Sequence, residues 1–145
     1  GEKQIVFGDD DYFEKLDDEL KIKTEWIIPN AQKNEMEPIM LTIEPGGATY
    51  PDNPHEGEEF GYVTEGIVTV VIGGEEHTAH KGESFYFTAA KPHHLENRGK
   101  REAQVIWISS PPSNCARASP ACLPLRVRRW WLITSRPLTW ACDNI

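Results

Sequence analysis

Glycine-containing turns recur at near-regular intervals between residues 37 and 110, and they leave room only for short extended segments between them. Residues 39–44 alternate and then stop at Pro45-Gly46-Gly47. Residues 58–64 and 67–72 flank Glu65-Gly66, which reads as a tight hairpin. Gly73-Gly74 turns the chain into residues 75–80, and Lys81-Gly82 turns it into residues 84–87. Residues 92–97 follow, and Asn97-Arg98-Gly99-Lys100 leads into residues 103–108. Short strands joined in this way specify an all-β fold, a sandwich or barrel with antiparallel pairing.

The flanks read differently. At 145 residues the chain is long enough for one domain with its own core. Residues 1–36 form a lead-in segment. Within it, residues 4–7 are expected as a short edge strand, and residues 9–20 carry a weak helical spacing through Tyr12, Phe13, Leu16 and Leu20. Residues 22–28 alternate as a strand ended by Pro29-Asn30. The barrel itself is assigned to residues 37–112.

Residues 113–145 form an atypical tail. All three cysteines (Cys115, Cys122 and Cys142) fall there, with Trp130, Trp131 and Trp140. Basic residues before position 113 favour Lys over Arg by eight to two, whereas the tail has five Arg and no Lys. A basic extension that touches a partner or membrane is one reading, and a metal or disulfide segment is another. The abrupt change in residue usage favours a third, a shifted reading frame or vector-derived sequence.

Charge narrows the partners. Residues 1–112 carry a net charge of −12 and the tail +4, giving −8 in total. A surface so acidic repels phosphate backbones, so direct nucleic-acid binding is not expected of this chain. No apolar stretch is long enough to span a bilayer, and the first residues lack the pattern of a secretory signal, so a cytoplasmic protein with no membrane association is expected.

The chemistry concentrates in three residues. Residues two or four apart on a strand share a face, so His55 and Glu59 are expected to point together, as are His93, Leu95 and Asn97. An acid facing a barrel interior is costly unless it is paired or bound to metal. His-x3-Glu on one strand pair, met by a His from another, makes a two-His-one-carboxylate set suited to non-haem Fe(II) and usable by Mn, Ni or Zn. The competing reading of His55, Glu59 and His93 is a buried hydrogen-bonded polar cluster without metal. His94 should face away from His93. His77 and His80 read as ordinary strand histidines, and Phe85, Tyr86, Phe87, Trp26 and Trp107 as core or pocket lining.

These residues carry a family resemblance. Gly47, Asn53-Pro54-His55, Glu59 and Gly66 have the spacing of the first cupin motif. Gly82, His93 and Asn97 have that of the second, fifteen residues (67–81) further on. The segment from about residue 37 to residue 110 therefore resembles a cupin, which implies a double-stranded β-helix, or jelly-roll barrel. Cupins hold metal with the histidines and glutamate of these motifs, which implies His55, Glu59 and His93 as ligands here. Two positions depart from the pattern: Asn53 stands where the first histidine is expected, and Thr88-Ala89-Ala90 replaces Pro-x-Gly. Asn53 is accordingly assigned as a ligand-binding or hydrogen-bonding residue at an open position.

The run from His55 to Gly66, with Met36-Glu37-Pro38-Ile39 before it and Ser109-Ser110-Pro111-Pro112 after it, is similar to the sensor half of bacterial regulators that join a helix-turn-helix to a cupin. The resemblance implies a small-molecule ligand, a possible divalent metal and a homodimer. No helix-turn-helix is visible in residues 1–36. The alternative is a mononuclear-metal cupin enzyme, an oxygenase, epoxidase or isomerase. The motif strands show no inward Lys, Arg or second carboxylate to serve one, which favours the sensor. Trimming residues 113–145 is expected to leave thermal stability and binding unchanged; loss of the folded barrel on truncation would show that Trp130 or Trp131 packs on it.

Overall fold

The computed structural model describes residues 3–112, so the reading of the tail at 113–145 lies outside the described residues. Nine strands are present among the described residues: β1 (Phe13–Asp17), β2 (Ile22–Trp26), β3 (Glu37–Ile43), β4 (Glu58–Glu65), β5 (Ile67–Ile72), β6 (Glu75–His80), β7 (Ser84–Thr88), β8 (His93–Glu96) and β9 (Ala103–Ser110). They form a six-stranded sheet, β1-β2-β3-β9-β4-β7, and a three-stranded sheet, β6-β5-β8, with every pairing antiparallel. No α-helix occurs among the described residues. The fold is the expected all-β double-stranded β-helix.

Register builds the interior in rows. Ile43 opposes Ala103, Leu41 opposes Val105, which opposes Val63, and Ile39 opposes Trp107, which opposes Gly61. Val68, Val70 and Leu95 close the cluster from the smaller sheet. The next row along is polar: Glu37 opposes Ser109, and Ser109 opposes Glu59. All three are buried. The barrel thus has an apolar end and a polar end, and the row of Trp107 and Phe85 is the floor between them.

Two glycines make this geometry possible. Gly66 connects β4 to β5 at φ +71°, where an added Cβ would lie 2.6 Å from the Glu102 carbonyl oxygen. Gly61 sits across from Phe85 and Trp107, and a Cβ there would fall 2.0 Å from the Phe85 ring. A small residue in β4 is what lets the two large rings share one layer.

The N-terminal region differs from expectation. Residues 4–7 form no strand, and Ile5 and Val6 are exposed. Residues 9–20 are not helical: Asp9–Asp11 make a 3-10 turn and Phe13–Asp17 make β1. The Asp17 carboxylate accepts a hydrogen bond from the Leu20 N–H at 2.9 Å and turns the chain into β2. With no second layer to cover a helical face, β1 gains more from pairing with β2. Phe13 and Leu16 stay exposed, although the Phe13 ring tilts against Trp26 at 5.4 Å. The strand expected over 22–28 ends at Trp26.

Replacing Gly61 with Ala is expected to displace the Phe85 ring and destabilise the barrel by about 1–3 kcal/mol. Gly8→Ala, where an added Cβ meets nothing within 4 Å, should be neutral. Denaturant unfolding of both variants, with a Gly61→Ala/Phe85→Leu cycle, checks this; additive effects in the cycle would place the clash elsewhere.

Candidate functional site

Glu59 enters the interior because β4 alternates around Gly61: Glu59, Gly61 and Val63 point inward, while Phe60 and Tyr62 point out. His93 opens β8 and faces inward with Leu95, and Asn97 continues that face just beyond the strand. Asn97 is a structural residue: its amide donates to the Ile43 and Arg101 carbonyls, both at 2.8 Å. His55 precedes β4 and is not part of a strand. Its backbone N–H donates to the Ala89 carbonyl at 2.9 Å, so the stretch that departs from Pro-x-Gly anchors this histidine.

His55, Glu59 and His93 converge, with one ligand atom of each lying within 4.8 Å of the others. His93 Nε2 lies 2.7 Å from Glu59 Oε2, with both side chains inaccessible to solvent. The other ring nitrogen of His93, Nδ1, donates to the Lys91 carbonyl at 2.8 Å, which directs Nε2 into the site. His55 repeats the arrangement: Nδ1 donates to the Glu56 carbonyl at 3.0 Å, while Nε2 is buried without a hydrogen-bond partner among the described residues. Phe87 packs edge-on to His93 at 5.0 Å and stacks on Phe85 at 6.2 Å, which puts both rings at this end of the barrel.

Asn53 is not brought to this cluster; it is exposed. The neighbouring Asp52 is buried instead, with Oδ2 3.2 Å from His93 Nε2. Asp52 is the residue that sequence reasoning missed, and it corrects the expectation of no second inward carboxylate. His94 points away from the site as expected, but it is half-buried rather than solvent-exposed, with Nε2 2.6 Å from the Glu96 carboxylate. His77 and His80 are exposed, and so is Tyr86, which alternates outward between Phe85 and Phe87 on β7 rather than lining the core or pocket as expected.

The donor set fits a divalent metal. Two imidazoles present Nε2 with Nδ1 already committed to a carbonyl, the Glu59 carboxylate converges with them, and His55 Nε2 has no hydrogen-bond partner among the described residues. Without metal, burial opposes protonation of His93. The Asp52 and Glu59 carboxylates outweigh that opposition and push its pKa up to about 10.

An antiparallel double-stranded β-helix of two facing sheets with a histidine–carboxylate site on its inner wall is the architecture of the cupins. Residues 39–109 match the family model described as Cupin_2, Cupin domain, and this part of the chain belongs to that family. Among curated proteins, the HTH-type transcriptional regulator PuuR of Escherichia coli is 28% identical over 111 residues, covering 76% of this chain and 58% of the regulator. The chain therefore spans little more than half the length of that relative. Among solved structures, the Cupin_2 domain of an XRE family transcriptional regulator from Enterobacter cloacae superposes with a TM-score of 0.57 at 21% identity, over 64% of this chain and 99% of that one. A predicted oxalate decarboxylase from Thermotoga maritima superposes with a TM-score of 0.63 at 12% identity, over 73% and 98%. No helix among the described residues is long and apolar enough to cross a membrane.

The His93 pKa sets the sign of a pH effect. A folded value raised above the unfolded value near ~6.5 contributes stability that is fully present below that pH and is lost as pH rises through about 10. In chelator-treated protein, the stability difference between wild type and His93→Gln should therefore shrink from pH 6 towards pH 10. Urea titrations across this range check it, and a flat difference would show that His93 is not held as the cation.

Proposed function

We propose that this chain is the small-molecule-sensing domain of a bacterial transcription regulator, with the ligand bound at the polar end of the barrel beside a divalent metal. The convergence of His55, Glu59 and His93 in a buried, phenylalanine-lined site carries the reading. The likeness to PuuR supports the regulatory part, because it runs over more of the chain than the family model matches. No Lys or Arg is buried among the described residues, so the interior lacks a cationic clamp for a reacting anion. In this reading DNA is contacted by a separate domain, since residues 1–112 are strongly acidic. A cytoplasmic location and a homodimer go with it, the latter supported by Phe60, Tyr62 and Tyr86, exposed together on β4 and β7.

His55, Glu59 and His93 would hold the metal, which would supply a Lewis-acidic position for a ligand oxygen or nitrogen. The residues themselves orient and neutralise: the Lys91 and Glu56 carbonyls fix the two rings, and Phe87 limits water at the His93 side. A mononuclear-metal enzyme is the second reading, and buried Asp52 favours it by offering a carboxylate beside the site.

Purified protein is expected to carry Fe, Mn, Ni or Zn by elemental analysis, with a co-purifying small molecule identifiable by mass spectrometry. His93→Ala should abolish metal uptake, and His94→Ala should leave it intact. Wild-type protein that takes up none of the four ions would leave a metal-free polar pocket, with loss of His93 then costing only about 1–3 kcal/mol of stability. Turnover of the co-purified molecule would decide for the enzyme.

A further inference from the structure

We infer that the Ser109 hydroxyl is a ligand-contacting group of the site, donating a hydrogen bond to an oxygen of the small molecule held beside the metal. The inference rests on the metal reading above and adds a ligand class to it. The molecule meets the metal through an oxygen that still accepts a hydrogen bond, as an alcohol, carbonyl or carboxylate oxygen does.

The backbone sends Ser109 inward. β9 alternates, with Ala103, Val105, Trp107 and Ser109 buried and the residues between them only partly so. Ser109 stands opposite Glu37 on β3 and opposite Glu59 on β4. Directly opposed residues of an antiparallel pair project to the same face, with Cβ atoms about 4.5–5.5 Å apart. Ser109 is therefore the immediate neighbour of the metal-site carboxylate, one pleat beyond the Trp107 floor.

No bond within the described residues engages its hydroxyl. Ser109 is 0% exposed, and its Oγ is buried without a hydrogen-bond partner there. The polar groups of the site are otherwise engaged: Glu59 and Asp52 both meet His93, at 2.7 and 3.2 Å, and both histidines commit Nδ1 to carbonyls. Ser110, the next residue, donates its own hydroxyl to the Glu35 carbonyl at 2.8 Å. A buried hydroxyl left without a partner lowers stability, and alanine would occupy the same position without that loss. The same condition holds at His55 Nε2, which belongs to the metal site. Ser109 Oγ and His55 Nε2 are thus two atoms of the polar end that a bound group would satisfy. Three protein ligands, His55, Glu59 and His93, leave coordination positions open. A molecule that fills one of them beside Glu59 comes against Ser109, and a coordinated oxygen keeps a lone pair for the hydroxyl to reach.

Thr42 supplies a matched control. Its Oγ1 is also buried without a partner, but Thr42 lies between the inward-facing Leu41 and Ile43, opposite Lys23 and Gln104 and away from the site. The test loads the full chain with Co(II) and titrates acetate, reading the visible d–d bands. Acetate should bind Ser109→Ala about 3–10-fold more weakly than wild type, the loss expected for one hydrogen bond. Ser109→Thr should recover most of that loss, and Thr42→Val should match wild type. Two further readouts separate ligand contact from a structural role. Co(II) affinity, measured by competition with a chelator, should be the same in Ser109→Ala and wild type. The chelator-stripped variant should also unfold at no lower urea concentration. A fall in Co(II) affinity or in the unfolding midpoint would assign the hydroxyl to holding Glu59 or the fold and overturn the inference, as would unchanged acetate binding in Ser109→Ala. Wild type that takes up Co(II) with no acetate response would overturn the inference and leave the metal reading standing. Wild type that takes up no Co(II) would overturn both.

Discussion

The contact between Glu59 and His93, 2.7 Å long and closed to solvent, is the constraint around which the barrel is arranged. A carboxylate in a protein interior is destabilising by several kcal/mol unless a charge or strong donor meets it. Glu59 comes from β4 in the larger sheet and His93 from β8 in the smaller one, so their meeting fixes how the sheets face each other. It also fixes register. A one-residue slip of β4 would send Glu59 to solvent and bring Phe60 and Tyr62 inside, where Gly61 now makes room for Phe85. The apolar rows of Ile39, Trp107, Leu41 and Val105 then follow from the same alternation.

Most of the strand plan was readable from the glycine turns because those turns are local: Gly66 and Gly73-Gly74 impose their chain reversals whatever lies around them. Glu59 and His93 were readable because each sits within or at the start of a regular strand, where alternation holds. His55 was found for an incomplete reason. It lies outside β4, with Gly57 at φ +127° intervening, and reaches the site through its backbone bond to Ala89 rather than by strand phase. The same irregularity hid Asp52. Counting by two through residues 48–57 has no physical basis, and only the long-range bridge to His93 reveals that Asp52 is the inward residue. β1 was misjudged for a related reason, since the spacing of Tyr12, Phe13, Leu16 and Leu20 carries no information about whether a helical face would find a cover.

Regulator domains and a predicted decarboxylase share this barrel at 12–21% identity, so the fold alone does not choose between sensing and catalysis. The choice lies in the wall of the polar end. There the chain keeps two histidines and a glutamate, adds a buried aspartate and excludes basic side chains. Such a wall suits the cation and small polar ligand proposed above better than a large anion.

The polar site straddles two kinds of chain. Glu59 and His93 belong to hydrogen-bonded strands, whereas Asp52 and His55 belong to an irregular stretch held by scattered bonds such as those of Asp52 with His93 and His55 with Ala89. Segments with few ladder bonds open at a lower free energy than the sheets beside them. A group held by His55, Glu59 and His93 in the proposed site would therefore act as a rivet between a stiff plate and a looser strip. Filling the proposed site would slow the opening of residues 48–57 while leaving the sheets as they are, turning a chemical event inside the barrel into a mechanical one at its rim.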